Sequence, residues 1–165
     1  MKIKVIRTFV LTVMLVLSFA SAAFAAASVS ADNKYFDFMS GSWILEGNVR
    51  VETDSRTIQA DKAKVNLISK EVWASGNIYL EEPDQDITFS GDSLYASDES
   101  KTAVIKGGVK FTRPDMVVEA ETCTFNWKTK IGEFDDLVEV TQNGKKQTYN
   151  RFVYDVIKNK VVEAE

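Results

Sequence analysis

The chain has 165 residues, 45% of them hydrophobic and 27% charged, which is the size and composition of one globular domain. Its net charge is −4, so it lacks the concentrated basic surface that nucleic-acid binding requires. It contains no histidine and one cysteine. These counts exclude Ser-His and Cys-His nucleophile activation, histidine-bearing zinc sites and an intramolecular disulfide.

The first residues have the pattern of a secretory signal peptide. A basic start is followed by the apolar run Thr8–Ala20 and then by small residues. Ala23-Phe24-Ala25 is a small-x-small site, which predicts cleavage after Ala25 and a signal peptide over 1–25. Removal would leave 17 basic and 24 acidic residues, a net charge of −7. The alternative is an uncleaved membrane anchor, and both place the remainder outside the cytoplasm.

The rest of the sequence repeats about every 30 residues, the signature of a stacked repeat architecture. In each repeat, apolar residues occupy every second position of a nine-residue segment, as in a strand with one buried face. A central glycine in the first three segments marks a bend or a close backbone approach, so the sheet is predicted to be curved. The segments are Trp43–Val51, Val72–Leu80, Ala103–Phe111 and Gly132–Val140.

Each segment leads through a turn into a returning alternating stretch. In the first three returns a small residue precedes an acid, and the alternation changes parity there, which predicts a bulge. The fourth return has apolar residues on both faces and no clear register. Four antiparallel hairpins in series predict an all-β fold, and the pattern alone allows a β-sandwich or an open jelly roll. The small-acid pairs are Ala60-Asp61, Gly91-Asp92 and Ala120-Glu121.

The repeated glycine-asparagine-valine motif followed by a small-acid pair resembles the OstA-like family of periplasmic lipopolysaccharide-transport proteins, which includes LptA, LptC and the N-terminal domain of LptD. The similarity extends from about Trp43 to Val140, and Asp136 departs from it by replacing the glycine of the fourth segment. It implies an open β-jelly roll with two facing curved sheets over 43–165, after a linker and possible edge strand over 26–42. The motifs that carry it are Gly47-Asn48-Val49, Gly76-Asn77-Ile78 and Gly107-Gly108-Val109.

The resemblance implies a carrier or bridge component that shields the acyl chains of lipopolysaccharide, or another glycolipid, on the way to the outer membrane. A dozen methylenes exposed to water cost roughly 10 kcal/mol, so such a protein needs a continuous apolar shield. Its partners would be OstA-fold membrane components, with no cofactor or metal. The residues implied to line the interior are Val49, Val51, Ile58, Val65, Ile78, Leu80, Phe89, Leu94, Val109, Phe111, Val118 and Phe125.

Two further features bear on function. Tyr35–Phe38 and Val161–Glu165 are potential edge strands at the two ends, which suggests head-to-tail self-association.

Pairs of acids such as Asp84 and Asp86 lie in predicted turns, where they point into solvent rather than across a cleft, so no enzyme activity is predicted. The alternative to a lipid carrier is a structural or interaction module of the envelope that binds no ligand.

Overall fold

The computed structural model describes residues 27–53 and 56–165, so the predicted signal peptide and its cleavage site lie outside the described residues. These residues form one antiparallel sheet of eleven strands, with a single 3-10 turn at Pro83–Gln85. Within them, no helix has the length and apolar character needed to cross a membrane. The strands are β1 Ala27–Ser30, β2 Asn33–Asp37, β3 Ser42–Thr53, β4 Thr57–Asn66, β5 Glu71–Glu82, β6 Ile87–Ser97, β7 Thr102–Arg113, β8 Met116–Asn126, β9 Ile131–Gln142, β10 Lys145–Asp155 and β11 Lys160–Ala164.

Strands β3 to β11 pair in the order of the sequence, each with the next. Both β1 and β2 pair with β3: β1 lies along Arg50–Thr53 and β2 along Ser42–Glu46. The sheet therefore has two edges, one formed by β1 and β2 and the other by β11. This topology confirms the prediction of consecutive antiparallel hairpins.

Each pairing between consecutive long strands from β3 to β10 changes register near its middle, and the repeated glycine motif lies at this level in β3, β5 and β7. In β3, Gly47 and Asn48 lie outside the ladder, between the paired residues Glu46 and Val49, and have φ of +73° and +47°. Strand β4 has only Asp61 in the opposite interval, so the pairing contains a bulge of two residues against one. The bend predicted from the glycines is confirmed. The same left-handed pair recurs as Gly76-Asn77, Gly107-Gly108 and Asp136-Leu137.

An acidic side chain lies against each of the first three bulges and explains why glycine is needed there. A Cβ on Gly76 would lie 2.8 Å from Cγ of Asp61, and Nδ2 of Asn77 donates a 2.9 Å hydrogen bond to Oδ2 of the same carboxylate. The sequence contains a signal for this contact: the acid always precedes the glycine position by 15 residues. The repeat alignment missed this spacing. The pairs are Asp32/Gly47, Asp61/Gly76 and Asp92/Gly107, with Glu121/Asp136 at the equivalent positions.

Gly76→Ala should lower the free energy of unfolding by about 2 kcal/mol, through left-handed strain and the contact with Asp61. Gly144 is the matched control, because its φ is also +76° but nothing lies within 4 Å of its Cβ position. Gly144→Ala should therefore cost only the backbone strain, about 1 kcal/mol. Urea denaturation of both variants checks this; equal losses would mean that the carboxylate contact adds nothing.

The bulges fold the sheet over on itself into two layers. Layer one contains the strand halves that end at turns 38–41, 67–70, 98–101, 127–130 and 156–159, and layer two contains the other halves. The rings of Phe89 in layer two and Phe125 in layer one lie 4.9 Å apart although they are not register partners. Phe111 in layer two likewise lies 5.5 Å from Phe134 in layer one. The interior is thus bounded by two halves of one curved sheet, the open jelly-roll architecture.

Candidate functional site

The inner face of each layer is a continuous row of cross-strand partners. Eight of the twelve residues predicted to line the interior lie on these rows. The other four, Val49, Ile78, Leu94 and Val109, lie on a second inward-facing row of their layer. All twelve therefore face the interior. Nine of them are at most 4% exposed, whereas Val51, Ile58 and Val65 are only partly buried. The row of layer two is Val29, Val51, Ile58, Leu80, Phe89, Phe111, Val118 and Val140, and that of layer one is Trp43, Val65, Val72, Ala96, Ala103, Phe125, Gly132 and Tyr154.

Aromatic rings fill the interior from β6 onward. Phe111 is fully buried and lies 5.0 Å from Phe89 and 6.2 Å from Tyr154. Phe152 stacks on Tyr154 and lies 6.2 Å from Phe134. Rings from both layers interdigitate here at van der Waals distance, as in a solid core. This end of the roll is closed.

The opposite end, around β1 to β5, has a more open interior. Trp43 is 38% exposed although it lies on the same row as the buried Phe125. The second inner row of layer one places only Ala63 and Ala74 at β4 and β5, where the later strands place Phe134 and Phe152. Small side chains at the early positions and rings at the later ones produce this difference in packing. The interior is therefore packed less tightly at the N-terminal end than at the C-terminal end.

Contacts between turns tie the two layers together along the side opposite the bulges, which we call the seam. Glu82, at the end of β5 in layer two, is 2% exposed and forms an ion pair with Lys130 in layer one. Arg56 pairs with the same carboxylate at 3.1 Å and lies over the ring of Trp127 at 5.3 Å. Charged pairs buried between two layers are geometrically specific, because each charge needs its partner. The seam limits how far the layers can separate.

A second contact across the seam lies toward the C-terminal end. The guanidinium of Arg113, from β7, donates a hydrogen bond to the hydroxyl of Tyr154, which in turn contacts Oδ1 of Asn159. Burial raises the pKa of Tyr154, which further disfavours loss of the phenol proton. These residues were missed from the sequence, because the register of β10 was not clear. The signal available was the aromatic pair Phe152 and Tyr154, separated by one residue as on a strand face.

A cysteine is among the titratable groups that lie in the core of the described residues. Cys123 is fully buried on the second inner row between Ile105 and Phe134, and burial raises the pKa of its thiol. The thiol is therefore protonated core filling. Among the residues that the structure describes, no group of three His, Cys, Asp or Glu side chains is placed to hold a metal ion.

Comparison with known proteins assigns the fold. A sequence profile described as "LptA/(LptD N-terminal domain) LPS transport protein" matches residues 28–160. The chain belongs to this family. Its fold is similar to the crystal structure of LptH from Pseudomonas aeruginosa, described as the LptA homologous periplasmic component of the lipopolysaccharide transport device. The TM-score is 0.61 at 19% identity, over 67% of this chain and 82% of that chain. No individually curated protein sequence matches it.

Membership of the LPS transport family confirms the resemblance seen in the repeated motifs, and the structural similarity confirms the β-jelly-roll class. The family consists of transport proteins, in agreement with the prediction of a non-enzymatic chain. The profile begins at residue 28, inside β1, and ends at the first residue of β11. It therefore includes β2, which the repeat alignment had left out.

Proposed function

We propose that this protein shields the acyl chains of lipopolysaccharide in the periplasm, and that the chains enter the roll at its N-terminal end. The observation that carries the proposal is the uneven packing of the interior. Val51, Ile58 and Val65 face inward and retain contact with water, whereas the row positions from β7 onward are buried. A partly exposed apolar inner face provides the dry contact that an acyl chain needs.

The other nine predicted residues line the interior farther along. In the described conformation their side chains contact one another, and they contact lipid only where the two layers separate. The proposed order of contact therefore begins with Val51, Ile58 and Val65 and continues toward Leu80 and Phe89. Loss of a single bulky side chain at the open end should cost little stability, because it is only partly buried.

Photo-crosslinking tests this order directly. A photoreactive residue at Val51 should capture lipopolysaccharide, and one at its exposed neighbour Arg50, which points to the other side of the strand, should not. Phe111, at 0% exposure, should capture less than Val51. No capture at any inward position, with the fold intact, would contradict the carrier function and favour an envelope module that binds no ligand.

The edges of the sheet support a proposal about partners. Strand β11 is exposed along its whole length, and only β10 pairs with it. Strands β1 and β2 form the other edge. We propose that such edges add strands from OstA-fold membrane partners or from a second copy, head to tail. Light scattering that shows a strict monomer at high concentration would count against self-association.

The boundaries of the exported form are part of the same proposal. We expect cleavage after Ala25, two residues before the first residue of β1, and a single domain after it. Mass spectrometry of the protein recovered from the periplasm gives the cleavage site. A mass that includes residues 1–25 would instead indicate the uncleaved anchor.

A further inference from the structure

Two neighbouring turns at the open end of the roll carry large apolar side chains that are in contact with water. Phe38 and Met39, between β2 and β3, are 88% and 99% exposed, and Ile68, between β4 and β5, is 86% exposed. The turns lie together, since Nδ2 of Asn66 donates a 3.0 Å hydrogen bond to the carbonyl of Ser40. Single exposed apolar residues are ordinary, but a cluster marks an interaction surface. We call these three residues the apolar tips.

Hydrogen bonds hold the tips in place. Asp37 accepts hydrogen bonds from the amide of Met39 at 3.0 Å and from the hydroxyl of Ser40 at 2.5 Å, and these bonds, that of Ser40 first, lower the pKa of the Asp37 carboxyl. Oδ1 of Asn66 accepts from the amides of Ile68 and Ser69 at 2.9 and 3.0 Å. The side chains are therefore presented outward by well-formed turns and do not owe their exposure to frayed ends.

An equivalent turn later in the chain shows that the turn itself does not require apolar residues. Oδ1 of Asn126 accepts hydrogen bonds from the amides of Lys128 and Thr129, both at 3.0 Å, as Asn66 does in its own turn. Lys128 thus occupies the position of Ile68 and is exposed. Because the same geometry accommodates lysine, the isoleucine is not explained by folding.

We propose that the apolar tips insert into the surface of a lipid bilayer. Burying three such side chains removes roughly 500 Å² from water, well below the roughly 800 Å² per partner of a standard protein interface. Two convex turns also suit a deformable lipid surface better than a flat protein face. Insertion of this kind depends on apolar contact with the boundary between headgroups and acyl chains.

The tips are also continuous with the interior. The ring of Phe38 packs edge-on against Phe36 at 5.1 Å, and Phe36 packs against Trp43 at 5.4 Å, at the start of the inner row. Given the proposed function, a lipid leaving the bilayer would pass along these rings without crossing water. This argument rests on the proposed function, whereas the exposure, turn geometry and area do not.

Charge plays little part in this docking. Lys70 lies in the second turn, but Asp98 is 3.8 Å from it and Asp37 and Glu71 flank the same turns. An acidic chain gains nothing from an anionic surface. We therefore expect insertion to be insensitive to salt and to proceed on vesicles of phosphatidylethanolamine and phosphatidylcholine.

The test places an environment-sensitive fluorophore on a cysteine at Met39, Ile68 or Lys128 of the full chain. The native Cys123 is 0% exposed, so it should stay unlabelled in the folded protein. On vesicles that contain brominated lipid, labels at Met39 and Ile68 should be quenched and blue-shifted, and the label at Lys128 should not. Ile68→Lys, which copies the equivalent turn, should weaken insertion of the Met39 label on the order of 10- to 100-fold.

Two results would overturn the proposal. One is a label at Ile68 that stays in water on vesicles, like the label at Lys128. The other is burial of that label without vesicles as the protein concentration rises, which would assign the tips to a second copy. A photoreactive residue at Val51 should still capture lipopolysaccharide in the Ile68→Lys variant when no bilayer is present.

If the same photoreactive residue captures no lipopolysaccharide in the chain without the Ile68→Lys substitution, the result would count against the carrier function and not against membrane insertion.

Discussion

Phe111→Ala should lower the free energy of unfolding by about 3–5 kcal/mol, the usual cost of removing a buried phenylalanine ring. Phe111 is fully buried and contacts rings of both layers, with Phe89 at 5.0 Å, Phe134 at 5.5 Å and Tyr154 at 6.2 Å. The substitution leaves a cavity that neither layer can fill without bending. Urea denaturation measures the loss.

Trp43→Ala is the control for this prediction. Trp43 is also aromatic and lies on an inner row, but it is 38% exposed and its ring packs against that of Phe36, at the open end. We expect a loss of about 1 kcal/mol, smaller because much of the ring is already in water. If Phe111→Ala cost as little as Trp43→Ala, the aromatic rings could rearrange easily, and the lipid-accessible part of the interior would extend through the whole roll.

The alternation of apolar residues predicted the strands because its period of two follows directly from strand geometry. The glycines predicted the bend for the same local reason: Gly47 and Gly76 both adopt left-handed conformations that other residues avoid. The same period of two correctly predicted that the twelve candidate residues face the interior. Local rules of this kind can be read from the sequence.

Exposure along a row could not be read in the same way. Val65 and Phe125 lie on one row of layer one, yet Val65 is partly exposed and Phe125 is 1% exposed. The difference depends on which part of layer two lies opposite. Phe89 of β6 covers Phe125 of β8, so the layers are offset by two strands. Because this offset is set by the twist and fold of the whole sheet, no pattern within one repeat contains it.

The ion pair at the seam is a second feature that the sequence could not predict. Glu82 and Lys130 are 48 residues apart, and each lies at the end of a strand where charged residues are ordinarily solvated. They meet only because the sheet folds over. The carboxylate of Glu82 is therefore only 2% exposed because of the offset between the layers.

Lys130→Met should lower the free energy of unfolding by about 3 kcal/mol, because it leaves the buried carboxylate of Glu82 with one cationic partner fewer. The value lies at the lower end for a broken buried ion pair, since Arg56 remains 3.1 Å from the same carboxylate. The double variant Glu82→Leu/Lys130→Met should recover part of the loss, because it removes the nearly fully buried carboxylate together with Lys130, whereas Arg56 loses its pairing with Glu82. Denaturation of the two single variants and the double variant gives the coupling energy.

Lys101 provides the matched control. It ends the equivalent turn with φ +59°, against +60° for Lys130, and pairs with Asp98, but both side chains are more than a third exposed. Lys101→Met should therefore cost under about 1 kcal/mol, as exposed ion pairs do. If the two lysine substitutions had equal effects, the seam would be solvated and the layers free to part there. The loss specific to Lys130 would instead show that the roll is clamped at its middle, so that lipid enters from the open end rather than through the side.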